Sequence, residues 1–488
     1  MTPLVVFVVV GASPVVGLTR VVAAALGLAM IAVLSRHPGP TLVGLVWFLP
    51  LQIPLFSFLY HHGVPGPAVR PFGALKEVFA LAILVAAVRA IRAEHRRLDA
   101  LDKLVLGFVA ALVLYLVAPM IVSTADLYPR SLSTRLLGFR VNAGFVLVFF
   151  AARHAPIDAR WRRRFVSSIV AVAALFAAFG LYQYARPESF TDFVFNTLGI
   201  PYYHLDVLDS PVESVMQLVR WTTARPVRVG SLFVGPFSFA DFMLIPAGLL
   251  LARLARRGAR GREIALLVAF GAAIFASQTR ANLVGLGVMA LLAMTPRRRD
   301  SFTNQLRVIA MVALAVVAFI PNLASTRVGG VGAAESSTNA HVDEIRGGIE
   351  LLQDYPLGLG LGTAPAVAVR EEGAPVIISD NSLLQVGNEL GAVMMVFFIV
   401  IVVVLLRRLA KTARGDPPND LAAGAMLAIL GLVVSGQFHH VFQNFAISWL
   451  VWGVAGLGLA ASARLASTTD EQRETSGDGP PLDTVTPG

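Results

Sequence analysis

The chain has 488 residues, of which 56% are hydrophobic and 14% charged, and its mean hydropathy is +0.71. Soluble domains carry about 25% charged residues, so this composition excludes an ordinary soluble enzyme and predicts an all-α, polytopic transmembrane bundle. The net charge of +10 does not point to nucleic acid, because the basic residues fall in short loops between apolar runs, where they set membrane orientation.

Apolar runs of roughly 15 to 22 residues recur from end to end. They predict about 12 to 14 spans on a hydropathy window, near Leu4–Leu18, Val21–Leu34, Leu42–Leu59, Ala74–Val88, Leu104–Val122, Leu136–Phe150, Phe165–Tyr184, Leu232–Leu251, Ile264–Ala276, Leu283–Met294, Val308–Ile320, Leu384–Leu406, Leu421–Val434 and Phe445–Ala461. No basic region precedes the first run, so insertion through the spans themselves is expected. Cysteine is absent, which removes thiolate chemistry.

The loops Arg89–Lys103, Arg153–Arg164, Arg253–Arg262, Arg297–Arg307 and Arg407–Arg414 are strongly basic and are assigned to the cytoplasm. The alternate loops then lie outside: 60–72, 123–135, 185–230, a tight turn at Arg280, a large loop over 321–381, and a short turn holding His439 and His440. Both termini fall inside. Residues 1–466 form one membrane domain, and 467–488, rich in Pro, Gly and acidic residues, are expected to be a disordered cytoplasmic tail.

Topology gives no reason to keep arginine outside, yet Arg220, Arg225 and Arg228 precede the Leu232 span, Arg280 opens its helix, and Arg327, Arg346 and Arg370 lie in the large loop. A guanidinium has fixed donors and a permanent charge, so a convergent set suits a pyrophosphate. The plainer account of any one arginine is snorkelling to the interface or pairing with an acid such as Glu344 or Glu350.

Val342, Ile345, Ile349 and Leu352 form one apolar stripe, predicting an amphipathic helix at the outer leaflet that stops at Tyr355-Pro356. Glycines 358, 360 and 362 then permit close backbone approach; no strand precedes them, so they are not a dinucleotide fingerprint. Asp380 and Asn381 stand at the start of the Leu384 span, with Glu389 about two turns inside. A carboxylate there suits proton removal from an acceptor hydroxyl, and Asp380, Asn381 or Ser382 equally suits a helix N-cap. His439 and His440, being adjacent, point to different faces and are not read as a metal pair.

Four segments in order, RVGSLFVGPFSFADFM (Arg228–Met243), SQTRANLVGLGVMALL (Ser277–Leu292), EIRGGIELLQDYPLGLGLGT (Glu344–Thr363) and DNSLLQVGNELG (Asp380–Gly391), resemble the O-antigen ligase and O-antigen polymerase superfamily of GT-C type membrane glycosyltransferases. The resemblance implies transfer of glycan from a polyprenyl (undecaprenyl) diphosphate donor to a glycan or lipid acceptor at the outer face of the cytoplasmic membrane. It implies diphosphate-binding roles for Arg228, Arg280 and Arg346, and an acceptor-activating role at Asp380. Two departures stand out: Asp380 occupies the place of the family's usual histidine, and Pro236-Phe237 replaces a Pro-Asn pair. Arg220, Arg225, Asn381 and Glu389 are further candidates for substrate binding. With a diphosphate leaving group, no metal or other cofactor is required. The rival class is a transporter of an anionic solute or a lipid-linked glycan, which should bury charge at mid-membrane in repeated halves.

Overall fold

In a computed structural model the described residues are 14–119, 130–208, 210, 212, 215–216, 227–233, 235–257, 261–294, 333–364, 380–416 and 418–475. Among them the architecture is all-helical, without strands. The long helices run in order as α1 (Pro14–Leu34), α2 (Pro38–His61), α3 (Leu75–Ala93), α4 (Ala100–Val117), α5 (Leu132–His154), α6 (Ala159–Ala185), α7 (Pro236–Arg257), α8 (Gly261–Ala276), α9 (Arg280–Met294), α10 (Ala333–Asp354), α11 (Ser382–Ala413), α12 (Asp420–Ser435) and α13 (Phe445–Thr475).

Many of the starts are written in the sequence as side-chain caps. Asp99, Ser131, Asp158, Asn381 and Asn419 each accept a backbone N–H of the first turn of α4, α5, α6, α11 and α12, satisfying donors that a helix otherwise leaves open.

Among the described residues six helices, α2, α4, α5, α6, α7 and α11, are long and apolar enough to cross a membrane, and Ala24–Leu34, α9, α12 and Phe445–Ala460 are shorter apolar helices. The larger number of spans read from hydropathy is therefore carried only in part. α3 falls short because Lys76, Glu77, Arg89 and Arg92 dilute its apolar run. The break expected between the first two runs is absent: α1 passes through it from Pro14, a proline at the first turn where its missing N–H costs nothing. The Val308–Ile320 run lies outside the described residues. At the other end, α13 continues to Thr475, taking in the first part of the expected tail, while 476–488 are not described.

α13 packs along α5 and α7 along α12. Trp449 and Trp452 are buried there, Trp452 among Phe145, Phe149 and Phe398. The α7–α12 crossing is close enough that a Cβ on Gly248 would lie 2.8 Å from the Ala428 nitrogen, the small-residue contact typical of membrane helices.

Among the described residues, ion pairs gather the basic segments around Asp99, Arg153, Arg257 and Arg408 at one end of the bundle. Arg153 pairs with Asp99 and with Asp102 (2.7 Å), Arg408 with Asp99, and Arg257 with Asp420 (2.6 Å). Burial raises the Asp99 pKa, but the Arg153 hydrogen bond, a backbone bond from Asp102 and the charges of Arg153 and Arg408 outweigh it and hold the carboxyl well below the usual range. The N-termini of α7, α9 and α11 lie at the opposite end.

At that end α11 is not continuous. Gly391 has φ 87° and ψ 166°, and the turn after α10 docks at the break. Leu359 N donates to Asn388 O and Gly360 N to Glu389 O, both at 2.9 Å, and Ala392 N donates to Pro356 O at 2.9 Å. A Cβ on Gly391 would stand 2.6 Å from the Leu357 carbonyl carbon, so both its positive φ and this approach demand glycine.

Candidate active site

The arginine side is assembled by a short extended piece before α7. Val229 N donates to Ala276 O (3.3 Å), and Gln278 Nε2 donates to Val227 O (3.3 Å). Gln183 Oε1 accepts from Gly230 N (3.1 Å) and Ser231 N (2.8 Å). These bonds bring Arg228 beside Arg280, the first residue of α9. Burial and the neighbouring charge of Arg280 both push the Arg228 pKa down, yet a guanidinium remains ionised. Arg228 lies over the Phe237 ring, 4.9 Å from its centroid, and its Nε is shielded from water without a hydrogen-bond partner. Among the described residues neither Arg228 nor Arg280 forms an ion pair with a carboxylate. Arg280 also adds its charge to the positive end of the α9 dipole. Two cations at a helix N-terminus are unfavourable alone and suit an anion.

The turn over residues 436–444 is the hub. Ser382 Oγ donates to His439 O (2.8 Å) and accepts from Val441 N (2.9 Å), pinning the turn to the start of α11. His439 faces the arginine side: its ring lies 5.0 Å from Phe237, and its Nε2 is 2.7 Å from Asp241 Oδ2. The other Asp241 oxygen accepts from Asn282 Nδ2 (2.6 Å) and Ser435 Oγ (2.9 Å), tying α7, α9 and α12 together in a buried network. His440 points the other way, its Nε2 3.3 Å from Asp380 Oδ1. Burial lowers the His440 pKa more than Asp380 restores it, with His439 adding to the decrease.

On the carboxylate side Asn381, not Asp380, is the N-cap of α11. Its Oδ1 accepts from Leu383 N (2.9 Å) and Leu384 N (3.0 Å), and its Nδ2 reaches Gln437 O at 3.3 Å. The Asp380 carboxylate is thereby left free of the cap and meets His440 and Glu344. α10 crosses the first turns of α11, with Leu352 packed against Gly387, and brings Glu344 against Asp380. Burial and the facing Asp380 carboxyl push the Glu344 pKa up to about 7. His341, one turn earlier on α10, completes the group and stacks on Phe438 with centroids 5.5 Å apart.

Residues 265–399 match the family model described as O-Antigen ligase. This stretch is similar to that family. Comparison of the chain with curated proteins gives no significant match. The matched stretch contains Arg280, Arg346, Asp380, Asn381 and Glu389, whereas Arg228, Asp241, His439 and His440 come from the flanking helices and turns.

The expected residues separate by position. Arg280 joins Arg228. Arg346 is exposed on α10 and makes no ion pair among the described residues. Glu389, 1% exposed, uses both oxygens internally: Oε1 accepts from Gly362 N (2.8 Å) and Oε2 from Asn142 Nδ2 (2.9 Å). It clamps the glycine turn to α5. Arg220, Arg225, Arg327 and Arg370 lie outside the described residues. The predicted stripe on α10 is half realised: Ile345 and Leu352 are half-buried, while Val342 and Ile349 are exposed.

Sequence reasoning did not mark Asp241 or His341, and it considered His439 and His440 only as a metal pair, which it set aside. One signal was available for the histidine pair. Adjacent residues point to opposite faces, and here that splits them between the arginines and Asp380. Nothing in the spacing of Asp241 or His341 marked either residue.

Proposed function

We propose that the protein is a membrane glycosyltransferase that transfers or polymerises glycan from a polyprenyl-diphosphate-linked donor onto a glycan or lipid acceptor at the outer face of the cytoplasmic membrane. The observation that carries this reading is the pair of guanidiniums, Arg228 and Arg280, adjacent and without a counter-ion among the described residues, set across one turn from the Asp380–His440 pair. The O-antigen ligase match supports a lipid-linked glycan substrate, and the concentration of basic loops at the far end supports a site facing away from the cytoplasm, with both termini inside.

In this mechanism Arg228, Arg280 and the N-terminus of α9 hold the diphosphate and stabilise the charge that develops as the sugar leaves. Arg346, together with Arg220 and Arg225, engages the outer part of the same donor. The acceptor hydroxyl attacks the anomeric carbon while Asp380 takes its proton, His440 orienting the carboxylate. The C–O bond to the diphosphate breaks as the new glycosidic bond forms, with inversion. Asn381 and Glu389 act as positioning residues, the first by fixing the start of α11 and the second by fixing the glycine turn. Phe237, in place of an asparagine, supplies a π face that keeps Arg228 aimed.

The test is purified protein with a defined polyprenyl-diphosphate glycan and candidate acceptors, beside surface-glycan analysis of a deletion strain. Lost or shortened polymer with accumulated lipid-linked units supports the reading. Unchanged glycan with altered anion uptake would replace it with a carrier.

A further inference from the structure

The Asp380–His440 pair borders a narrow hollow between α4, α5, α11 and the turn over residues 436–444. Phe108, Phe145 and Phe442 line it together with Gln385, His440 and Gln443, and it encloses about 10 Å³, room for one group the size of a water molecule. His440 and Gln443 are half-buried, so the rim they form reaches solvent. That rim is beside Asp380, whose Oδ1 is 3.3 Å from His440 Nε2.

The polar atoms of these residues are unmatched. Gln385 is 3% exposed, yet neither its Oε1 nor its Nε2 has a hydrogen-bond partner among the described residues, and His440 Nδ1 and Gln443 Oε1 are likewise shielded from water and unpaired. The large majority of buried side-chain polar atoms find a partner, so four unmatched atoms around one hollow point to a group supplied from outside. The other polar residues on its wall do not share this state. Ser382 Oγ is taken by His439 O and Val441 N, and Asn142 Nδ2 by Gly138 O and Glu389 Oε2. Among the described residues no lysine, arginine or carboxylate lines the hollow, so it selects a neutral group. A carboxamide offers both a donor and an acceptor, and a hydroxyl answers both. Phenyl rings with a few convergent polar atoms are the ordinary walls of a small-molecule site, and here they suit the C–H faces of a sugar.

We propose that this hollow is a subsite for the acceptor: it takes one non-reacting hydroxyl of a neutral sugar, and Gln385 is the residue that recognises it. The assignment to the acceptor rests on the transfer reading above. A sugar anchored there presents a neighbouring hydroxyl to Asp380 at the rim, and such placement of the reacting group is itself a large part of catalysis. Gln385 is thus a specificity-determining residue on the opposite side of the turn from the arginines that hold the donor.

The experiment uses the full-length protein in detergent, without donor. The probes are methyl glycosides of each sugar released from the cell-surface glycan, with binding read by saturation-transfer nuclear magnetic resonance. At least one glycoside should bind saturably, and its monodeoxy analogue lacking the recognised hydroxyl should bind about 5- to 150-fold more weakly, the effect of leaving a buried partner unpaired. Gln385→Met keeps the shape and removes both polar atoms, so it should bind parent and deoxy glycosides alike. Its melting temperature without ligand should hold or rise, because two unmatched buried atoms are lost. Absence of glycoside binding by the wild type overturns the proposal, as does discrimination that survives in Gln385→Met. A Gln385→Met protein that melts lower and still binds the glycoside as the wild type does also overturns it, leaving a structural glutamine beside a buried water. If Gln385→Met does not fold, Gln443→Met, which changes the same hollow from the turn, decides the matter. Turnover is followed separately. A wild type that binds the glycoside but transfers nothing removes the transfer reading and leaves a sugar site, whereas normal transfer with an acceptor KM unchanged in Gln385→Met removes the subsite alone.

Discussion

Arg280→Gln separates an arginine kept for a ligand from one kept for the fold. If Arg280 were half of a buried ion pair, its loss would strand a charge and cost about 3–5 kcal/mol of stability. Among the described residues it has no such partner. It stands at the positive end of α9, beside Arg228, whose pKa is pushed down by burial and by the charge of Arg280. Two unit charges 4 Å apart at an effective dielectric of about 20 repel by about 4 kcal/mol. Partial exposure of Arg280 reduces the relief from removing one to the order of 1 kcal/mol. The unliganded variant should therefore melt at or slightly above the wild-type temperature. Transfer should nonetheless fall by about 10²- to 10³-fold, the loss typical of one donor to a developing oxyanion, about 2.7–4 kcal/mol. The assays are thermal melting in detergent without substrate and turnover of a polyprenyl-diphosphate glycan. A variant that melts several degrees lower and loses activity only in proportion to unfolded protein would refute the reasoning, as would one with wild-type turnover.

Three further outcomes follow from particular contacts. Asp380→Asn should reduce turnover by about 10²- to 10⁴-fold, the range for removal of a general base, while lipid-linked donor still binds; because Asn381 supplies the cap, its melting temperature should hold, and a stability loss with intact turnover would count against the role. Gly391→Ala should destabilise by about 1–3 kcal/mol, since its φ of 87° and the nearby Leu357 carbonyl carbon both oppose a Cβ; unchanged melting would show that α11 runs straight there. Asp99 has a folded pKa depressed below its unfolded value of about 3.9, so its contribution is full above that value and is lost as pH falls through the folded pKa. Melting temperature should thus decline below about pH 4 in the wild type, and a slope unchanged in Asp99→Asn would assign the decline to other carboxylates.

Much of the fold was legible because membrane helices announce themselves locally. Composition and hydropathy determined the class, Asn381 was among the cap candidates that marked the start of α11, and the stripe from Val342 to Leu352 gave a helix ending before Tyr355-Pro356, as α10 does. The number of spans was less legible, because an apolar run does not say whether charged residues at its ends, as in α3, leave enough length to cross.

The sequence by itself determined that arginines stand away from the basic loops, and that Asp380, Asn381 and Glu389 crowd the start of one helix. Only the tertiary structure decided what each does there. Asn381 took the cap, Glu389 turned inward to hold Gly362, and Arg228 met Arg280 across a turn. The contact of His439 with Asp241 spans 198 residues. Such contacts are fixed by how separate helices pack, and packing leaves no periodic trace in the chain, whereas hydropathy and capping depend only on neighbours a turn away.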